Sequence, residues 1–361
     1  MQIGIVGLPF SGKTTLFNTL LAHKSKDDAS KYRMEAEHGI ITIPDKRLDR
    51  LTEIYQPKKK VYATIEYIKV PGLEKEGHSG TGLPAQFLAN IKTVDVVLLV
   101  IRDFESELYP HPFNSVDPLR DIKYIESEFL LHDLAIIENR LSKLEKLVMK
   151  TQADRDKKEL AVLQKCKASL DEECFLNELS LADQDEILIR SYQFITAKSF
   201  LYVLNISEEN IKDSDKVLEK IRPHLRPYCA VIALSAEIEY EISQLEPEDA
   251  NLFLDDLGIS EPVTSRLIHV SYDLLGLQSF FTVGDVECHA WNIKKGTNVL
   301  HAAGIVHSDM ERGFIRAEVV PSEDLIALGS MQACKEKGLL RLEGKEYTVQ
   351  DGDVVTVRFN V

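Results

Sequence analysis

The chain has 361 residues, 44% apolar and 28% charged, and its 58 acidic against 43 basic side chains give a formal net charge of −15. At about 150 residues per domain this length predicts two or three domains, and the composition excludes a disordered chain. The acidic excess argues against a protein that wraps duplex DNA, and no sequence-specific DNA binding is expected; a local basic patch remains compatible with it. No apolar run approaches the roughly 18 residues that span a bilayer, so no membrane association is expected. The first seven residues, Met1 to Gly7, carry neither a basic stretch nor a small-residue cleavage site and are not read as a signal peptide. The five cysteines (Cys166, Cys174, Cys229, Cys288, Cys334) are scattered, without a C-x-x-C pair, which predicts neither a disulfide framework nor a zinc site. A reducing cytoplasm is the expected location.

In chain order, Gln2–Val6 reads as a buried strand ending at Gly7, and Lys13–Leu21 as a helix with Leu16, Phe17, Leu20 and Leu21 inward. Apolar runs recur at Val61–Ile68, Val94–Ile101, Phe200–Leu204 and Cys229–Leu234, with helical stretches such as Lys46–Tyr55 and Ser214–Ile221 between them. Buried runs alternating with helices predict a mainly parallel sheet covered on both faces. Leu130, Leu134, Ile137, Leu141, Leu144 and Val148 form a heptad seam, then Met149–Asp156 is polar, then Leu160, Leu163 and Leu170 mark a second helix. This predicts an antiparallel helical hairpin over residues 125–190, inserted into an α/β domain spanning 1–277. Ordinary helices packed flat on the sheet are the alternative. From 278 to 361, short strands at 291–293, 315–320, 339–342, 346–349 and 354–360 and a helix near Ser322–Cys334 predict a small α+β domain.

Gly7-Leu8-Pro9-Phe10-Ser11-Gly12-Lys13-Thr14 fits G-x-x-x-x-G-K-[ST] in full, with a strand before it and a helix after it. Backbone N–H groups of such a loop and the following helix N-terminus cradle phosphates. Lys13 reaches the β- and γ-phosphates, and the Thr14 hydroxyl is the candidate Mg²⁺ ligand. Gly7, Phe10, Ser11, Gly12, Lys13, Thr14 and Thr15 are therefore candidate nucleotide-binding residues. A second glycine element, Val70-Pro71-Gly72-Leu73, makes Gly72 a candidate γ-phosphate sensor. Asn205, Ile206 and Glu208 end one strand, and Ser235 and Ala236 end the next, at the places where GTPase-type folds read the base. Ile206 and Glu208 stand where N-K-x-D has lysine and aspartate, which weakens guanine selectivity and leaves ATP and GTP both open.

The chain resembles the YchF-type Obg-like ATPases along essentially its whole length. The resemblance rests on the Gly7–Thr15 loop, Pro44–Asp49, Phe87–Ile91, Asp117–Ile122, Asn205–Glu208, Phe280–Gly284, Glu311–Glu318 and Val349–Val354. It implies a P-loop NTPase of the GTPase-like class with an inserted helical hairpin, followed by a ubiquitin-like (β-grasp) TGS domain. It also implies ATP or GTP binding, ATP or GTP hydrolysis, and association with the ribosome or ribosomal RNA in translation and stress responses. A monomer is expected.

Several positions depart from that family pattern. Lys69 stands where the family places the aspartate of D-x-x-G, and residues 28–38 lack the switch threonine, with Arg33 near its position. Phe10 and Ser11 stand where the family tends to have Asn and Val. Leu73, as in the whole family, replaces a water-orienting glutamine, so no general base is identifiable. Either Lys69 or Arg33 neutralises phosphate charge in a working ATPase, or nucleotide is bound and hydrolysed slowly; the second is the expectation, with Mg²⁺ dependence in doubt. A non-hydrolysing adaptor acting through hairpin and TGS domain is the alternative. Weaker candidates are His78 in the loop 77–82, the run Lys58–Lys60, and two basic surfaces. One comprises Lys143, Lys146, Lys150, Arg155, Lys157 and Lys158 at the hairpin tip, the other Arg312, Arg316, Lys335, Lys337, Arg341 and Lys345.

Overall fold

A computed structural model describes residues 1–22, 37–71, 83–151, 153–259 and 261–360. Twelve strands are described: β1 Gln2–Val6, β2 Glu37–Thr42, β3 Lys59–Val61, β4 Thr64–Lys69, β5 Val96–Asp103, β6 Ser199–Ile206, β7 Ala230–Leu234, β8 Leu277–Thr282, β9 Glu287–Lys294, β10 Phe314–Pro321, β11 Arg341–Glu343 and β12 Asp353–Phe359. One sheet has the order β2-β4-β1-β5-β6-β7. Its β4-β1, β1-β5, β5-β6 and β6-β7 pairs are all parallel. The near-continuous apolar runs of β1, β5 and β6 are what burial on both faces requires; Ile3, Ile5, Leu98 and Leu201 are wholly inaccessible. Parallel register brings the C-terminal ends of these strands to one edge, where ligands bind in open α/β sheets.

Between β5 and β6 run two long helices, Pro118–Thr151 and Asp154–Asp171. The helical pairing starts earlier than residue 125, because Pro118 suits a first helical turn and Arg120 N–H donates to Asp117. The polar stretch 149–156 is mostly helical too: the first helix runs through Thr151 and the second begins at Asp154. Ile137, Leu141 and Leu144 pack with Val162, Leu163, Cys166 and Leu170 in the seam the spacing predicts. Arg140 clamps the pair by donating to Glu159 Oε1 at 2.8 Å.

The second sheet has the order β11-β10-β12-β8-β9-β3. The β8-β9 hairpin, the helix Val299–Val306 and the parallel placement of β12 beside β8 give it the β-grasp pattern. The helix expected near Ser322–Cys334 is two, Ser322–Leu328 and Met331–Glu336, because Gly329 turns left-handed (φ 76°) and Ser330 caps the second by accepting from Ala333 N–H. Residues 346–349 form only a bridge, Asn298 to Thr348, in place of the expected strand.

The chain divides into Met1–Gly39 with Glu66–Leu267, and Ile40–Ile65 with Ile268–Val361. The apolar run Val61–Ile68 is not one strand: Val61 ends β3, parallel to β9, while Thr64 begins β4 in the other sheet. The segment Ile40–Ile65 is held within its unit by Arg47, which pairs with Asp351 at 2.7 Å and lies 5.2 Å over the Phe281 ring. Asn292 Nδ2 also donates to the Thr64 carbonyl at 2.9 Å. An apolar run in sequence carries no label for which sheet takes it.

Asp133, wholly buried in the first long helix, accepts from Thr196 N–H and Thr196 Oγ1, both at 2.7 Å. Desolvation outweighs these bonds and raises its carboxyl to about 6. The unfolded carboxyl sits near 3.9, so the folded chain holds this proton more tightly, and stability falls as pH rises from about 4 to about 6. Asp133→Asn keeps the acceptor for Thr196. In urea unfolding across that range, the wild type should lose on the order of 2 kcal/mol relative to this variant as pH rises. Parallel profiles for the two proteins would contradict the assignment.

Candidate functional site

Residues 7–14 link β1 to the helix Lys13–Ala22. Two of their glycines are required by close approach. A Cβ on Gly7 would lie 2.4 Å from the Val100 carbonyl oxygen of β5. Gly12 has φ 95°, and a Cβ there would lie 2.1 Å from Asn205 Nδ2. Lys13 is 9% exposed and donates to the Gly7 and Leu8 carbonyls at 3.0 and 2.7 Å, which places its ammonium inside the loop. Burial, and then the charge of Lys69, lower its pKa to about 8. The Ser11 hydroxyl is buried with no hydrogen-bond partner among the described residues. An orphaned buried donor costs about 1–3 kcal/mol, and a phosphate oxygen in the cradle would satisfy it. Thr14 is exposed at the mouth of the loop, and the Thr15 carbonyl accepts from Thr19 Oγ1. Phe10 adopts φ 61°, a region that suits Asn better than an aromatic residue, and stacks its half-exposed ring on Tyr109 at 5.5 Å.

Asn205 stands at the end of β6, 4% exposed, with both ends of its carboxamide engaged. Nδ2 donates to the Ser11 carbonyl at 3.0 Å, and Oδ1 accepts from Ala236 N–H at 2.9 Å. Its amide therefore braces the phosphate loop against the Ser235–Ala236 turn. Ile206 points into the core at 2% exposure, while Glu208 is exposed at the start of a short 3-10 turn. Ser235 and Ala236 are buried. The cavity behind Ile206, Leu234 and Ser235 holds about 30 Å³, room for a water and not for a base. Gly72, with Arg33, Leu73 and His78, lies outside the described residues.

Lys69 stands where the family pattern has the aspartate of D-x-x-G. It ends β4, opposite Ile5 of β1, and its Nζ lies 2.6 Å from Glu37 Oε2. The same nitrogen lies 3.4 Å from Thr14 Oγ1 and 6.0 Å from the centre of the Phe17 ring. Mg²⁺ takes oxygen donors at about 2.0–2.1 Å in near-octahedral geometry. Beside the Thr14 hydroxyl the described residues instead present an ammonium group, whose charge repels a cation and whose hydrogens cannot ligate one. This donor set does not fit a Mg²⁺ ion held between Thr14 and a carboxylate.

A parallel sheet with a phosphate loop after its first strand, braced from the ends of β6 and β7, defines a P-loop nucleotide-binding protein of the GTPase-like class. Residues 2–165 match the family model described as "50S ribosome-binding GTPase", and residues 277–360 match YchF-GTPase_C, described as "Protein of unknown function (DUF933)". The chain is 41% identical to the "Ribosome-binding ATPase YchF" of Bacillus subtilis, covering all of both proteins. It is 37% identical to the protein of the same name from Escherichia coli O157:H7, covering all of this chain and 99% of that one. It also superposes on the YchF GTPase structure from Schizosaccharomyces pombe with a TM-score of 0.90 at 28% identity, covering 99% of this chain and 97% of that one. The chain belongs to the YchF family.

Two outcomes follow from this geometry. Asn205→Ala leaves the Ser11 carbonyl and Ala236 N–H without their partner, so calorimetric ATP affinity should weaken by about 1–3 kcal/mol, together with a lower melting temperature. Retained affinity would show that the brace is dispensable. Phosphate binding needs Lys13 charged and raises its pKa, so ATP affinity should be level below a pH of about 8 and fall by about tenfold per pH unit above it. Proton uptake on binding, read by calorimetry in buffers of different ionisation enthalpy, should appear in the same range.

Proposed function

We propose that this chain is a ribosome-associated, nucleotide-gated switch that binds ATP or GTP and hydrolyses it more slowly than its relatives. One observation carries the reading: the Lys69 ammonium stands against Thr14, where a hydrolysing P-loop site keeps a metal ion and its supporting carboxylate. Binding rests on the loop backbone and Lys13, which Lys69 leaves intact. Turnover also needs an oriented water and compensation of developing charge, and the described carboxylate in this corner, Glu37, is paired with Lys69.

The relatives are named for ribosome binding and for ATPase activity, and this chain spans their full length. The hairpin tip suits such a partner. Lys143, Lys146, Lys150, Arg155, Lys157 and Lys158 are all exposed there, a local positive surface on an acidic chain that can meet RNA phosphates. Arg312 and Arg341 are less available, since they pair with Asp309 and with Asp353 and Glu343. Among the described residues no helix is long and apolar enough to cross a membrane. Work at the ribosome would place the protein in the cytoplasm.

Single-turnover hydrolysis of radiolabelled ATP and GTP, with and without ribosomes, tests the reading. The expected result is slow turnover that Lys69→Asp accelerates by about tenfold or more, equivalent to at least 1.4 kcal/mol of barrier. Wild-type rates equal to those of aspartate-bearing relatives would overturn it. Ribosome binding with no turnover in either protein would favour the adaptor role.

A further inference from the structure

Two ammonium groups converge on the phosphate loop, and the second of them, Lys69, is paired with the Glu37 carboxylate. Lys13 reaches the loop carbonyls from inside, and Lys69 approaches from β4 with its Nζ at 3.4 Å from Thr14 Oγ1. The Lys69 side chain is 19% exposed and Glu37 56% exposed, so the lysine is held in place while its partner stands at the solvent edge. Backbone pairing sets the approach: Lys69 lies opposite Ile5, and Val70 N–H donates to the Ile5 carbonyl at 3.0 Å. The Lys69 Nζ also lies 6.0 Å from the centre of the Phe17 ring.

The geometry points to Lys69 as the cation that meets the terminal phosphate of a bound nucleoside triphosphate, in place of a divalent metal ion, with Glu37 as the carboxylate it exchanges for that phosphate. This rests on the nucleotide-binding reading above and deepens it. A metal ion beside Thr14 would face a fixed positive charge within a few ångströms, whereas a triphosphate oxygen there gains a charge-assisted hydrogen bond. Glu37 and the phosphate compete for one ammonium, so triphosphate binding draws Lys69 away from β2. The exchange is noncovalent: no bond breaks, and the proton stays on the lysine. A diphosphate lacks the γ-phosphate and offers this ammonium fewer oxygens, so it competes less well with Glu37. The site thereby distinguishes triphosphate from diphosphate without a metal ion.

The test is calorimetric titration of the full chain with ATP and with ADP, in excess Mg²⁺ and in EDTA. Wild-type ATP affinity should agree between the two conditions within about threefold, or roughly 0.7 kcal/mol. Lys69→Met should weaken ATP by about tenfold or more while leaving ADP little changed, and Lys69→Arg should keep metal-free ATP binding. Glu37→Gln should tighten ATP severalfold by removing the competitor. Lys69→Asp should make ATP binding dependent on Mg²⁺. Wild-type binding that appears only with Mg²⁺ overturns the proposal and leaves nucleotide binding standing. ATP and ADP weakened equally by Lys69→Met, or weaker ATP binding in Glu37→Gln, also overturns it. No binding under either condition overturns both this inference and the reading beneath it.

Discussion

The carboxamide of Asn205 is the interaction on which the phosphate site depends. It joins the Ser11 carbonyl to the Ala236 N–H, so one buried side chain from β6 fixes both the loop after β1 and the helix start after β7. It also explains Gly12, since any side chain there would occupy the space of its nitrogen. The arrangement works because β1, β5, β6 and β7 run parallel and end at a common edge. A buried amide whose donor and acceptor are both matched is rigid, and a leaving partner would expose a full desolvation cost. The loop's N–H groups are thereby held in place for an anion, while its carbonyls hold the Lys13 ammonium.

Charge then decides what kind of anion site this is. Lys13 is buried against carbonyl oxygens, and Lys69 adds a second positive group at the Thr14 hydroxyl. Beside Thr14 that corner presents an ammonium group, whose charge opposes a cation there. The Glu37 partner keeps the second lysine compensated, so the substitution at one position is matched by a charge at another. A lone lysine in place of the aspartate would leave two like charges near each other with nothing to offset them.

Much of the architecture was legible in sequence. The loop motif, its flanking strand and helix, and the heptad seam of the hairpin depend on near neighbours, and local spacing encodes them. Other features were not. Val61–Ile68 reads as one strand and is two, in different sheets, because hydrophobicity marks burial without naming the neighbour. Ser322–Cys334 reads as one helix, yet Gly329 and Ser330 supply a stop and a new cap inside it. Asn205 reads as a strand-end residue near the nucleotide, and its double brace between Ser11 and Ala236 is not visible in sequence; nor is the burial of Ile206.

What the sequence determined by itself is the phosphate-binding loop and membership of a P-loop family, because backbone conformation over eight residues follows from where glycine and lysine stand. It also marked Lys69 as out of place. Only the tertiary structure decided what Lys69 touches. Its contacts to Thr14 and Glu37 join residues distant in the chain, and an ion pair has meaning only at separations of a few ångströms. Sheet order, with β2, β4 and β1 side by side, sets those separations.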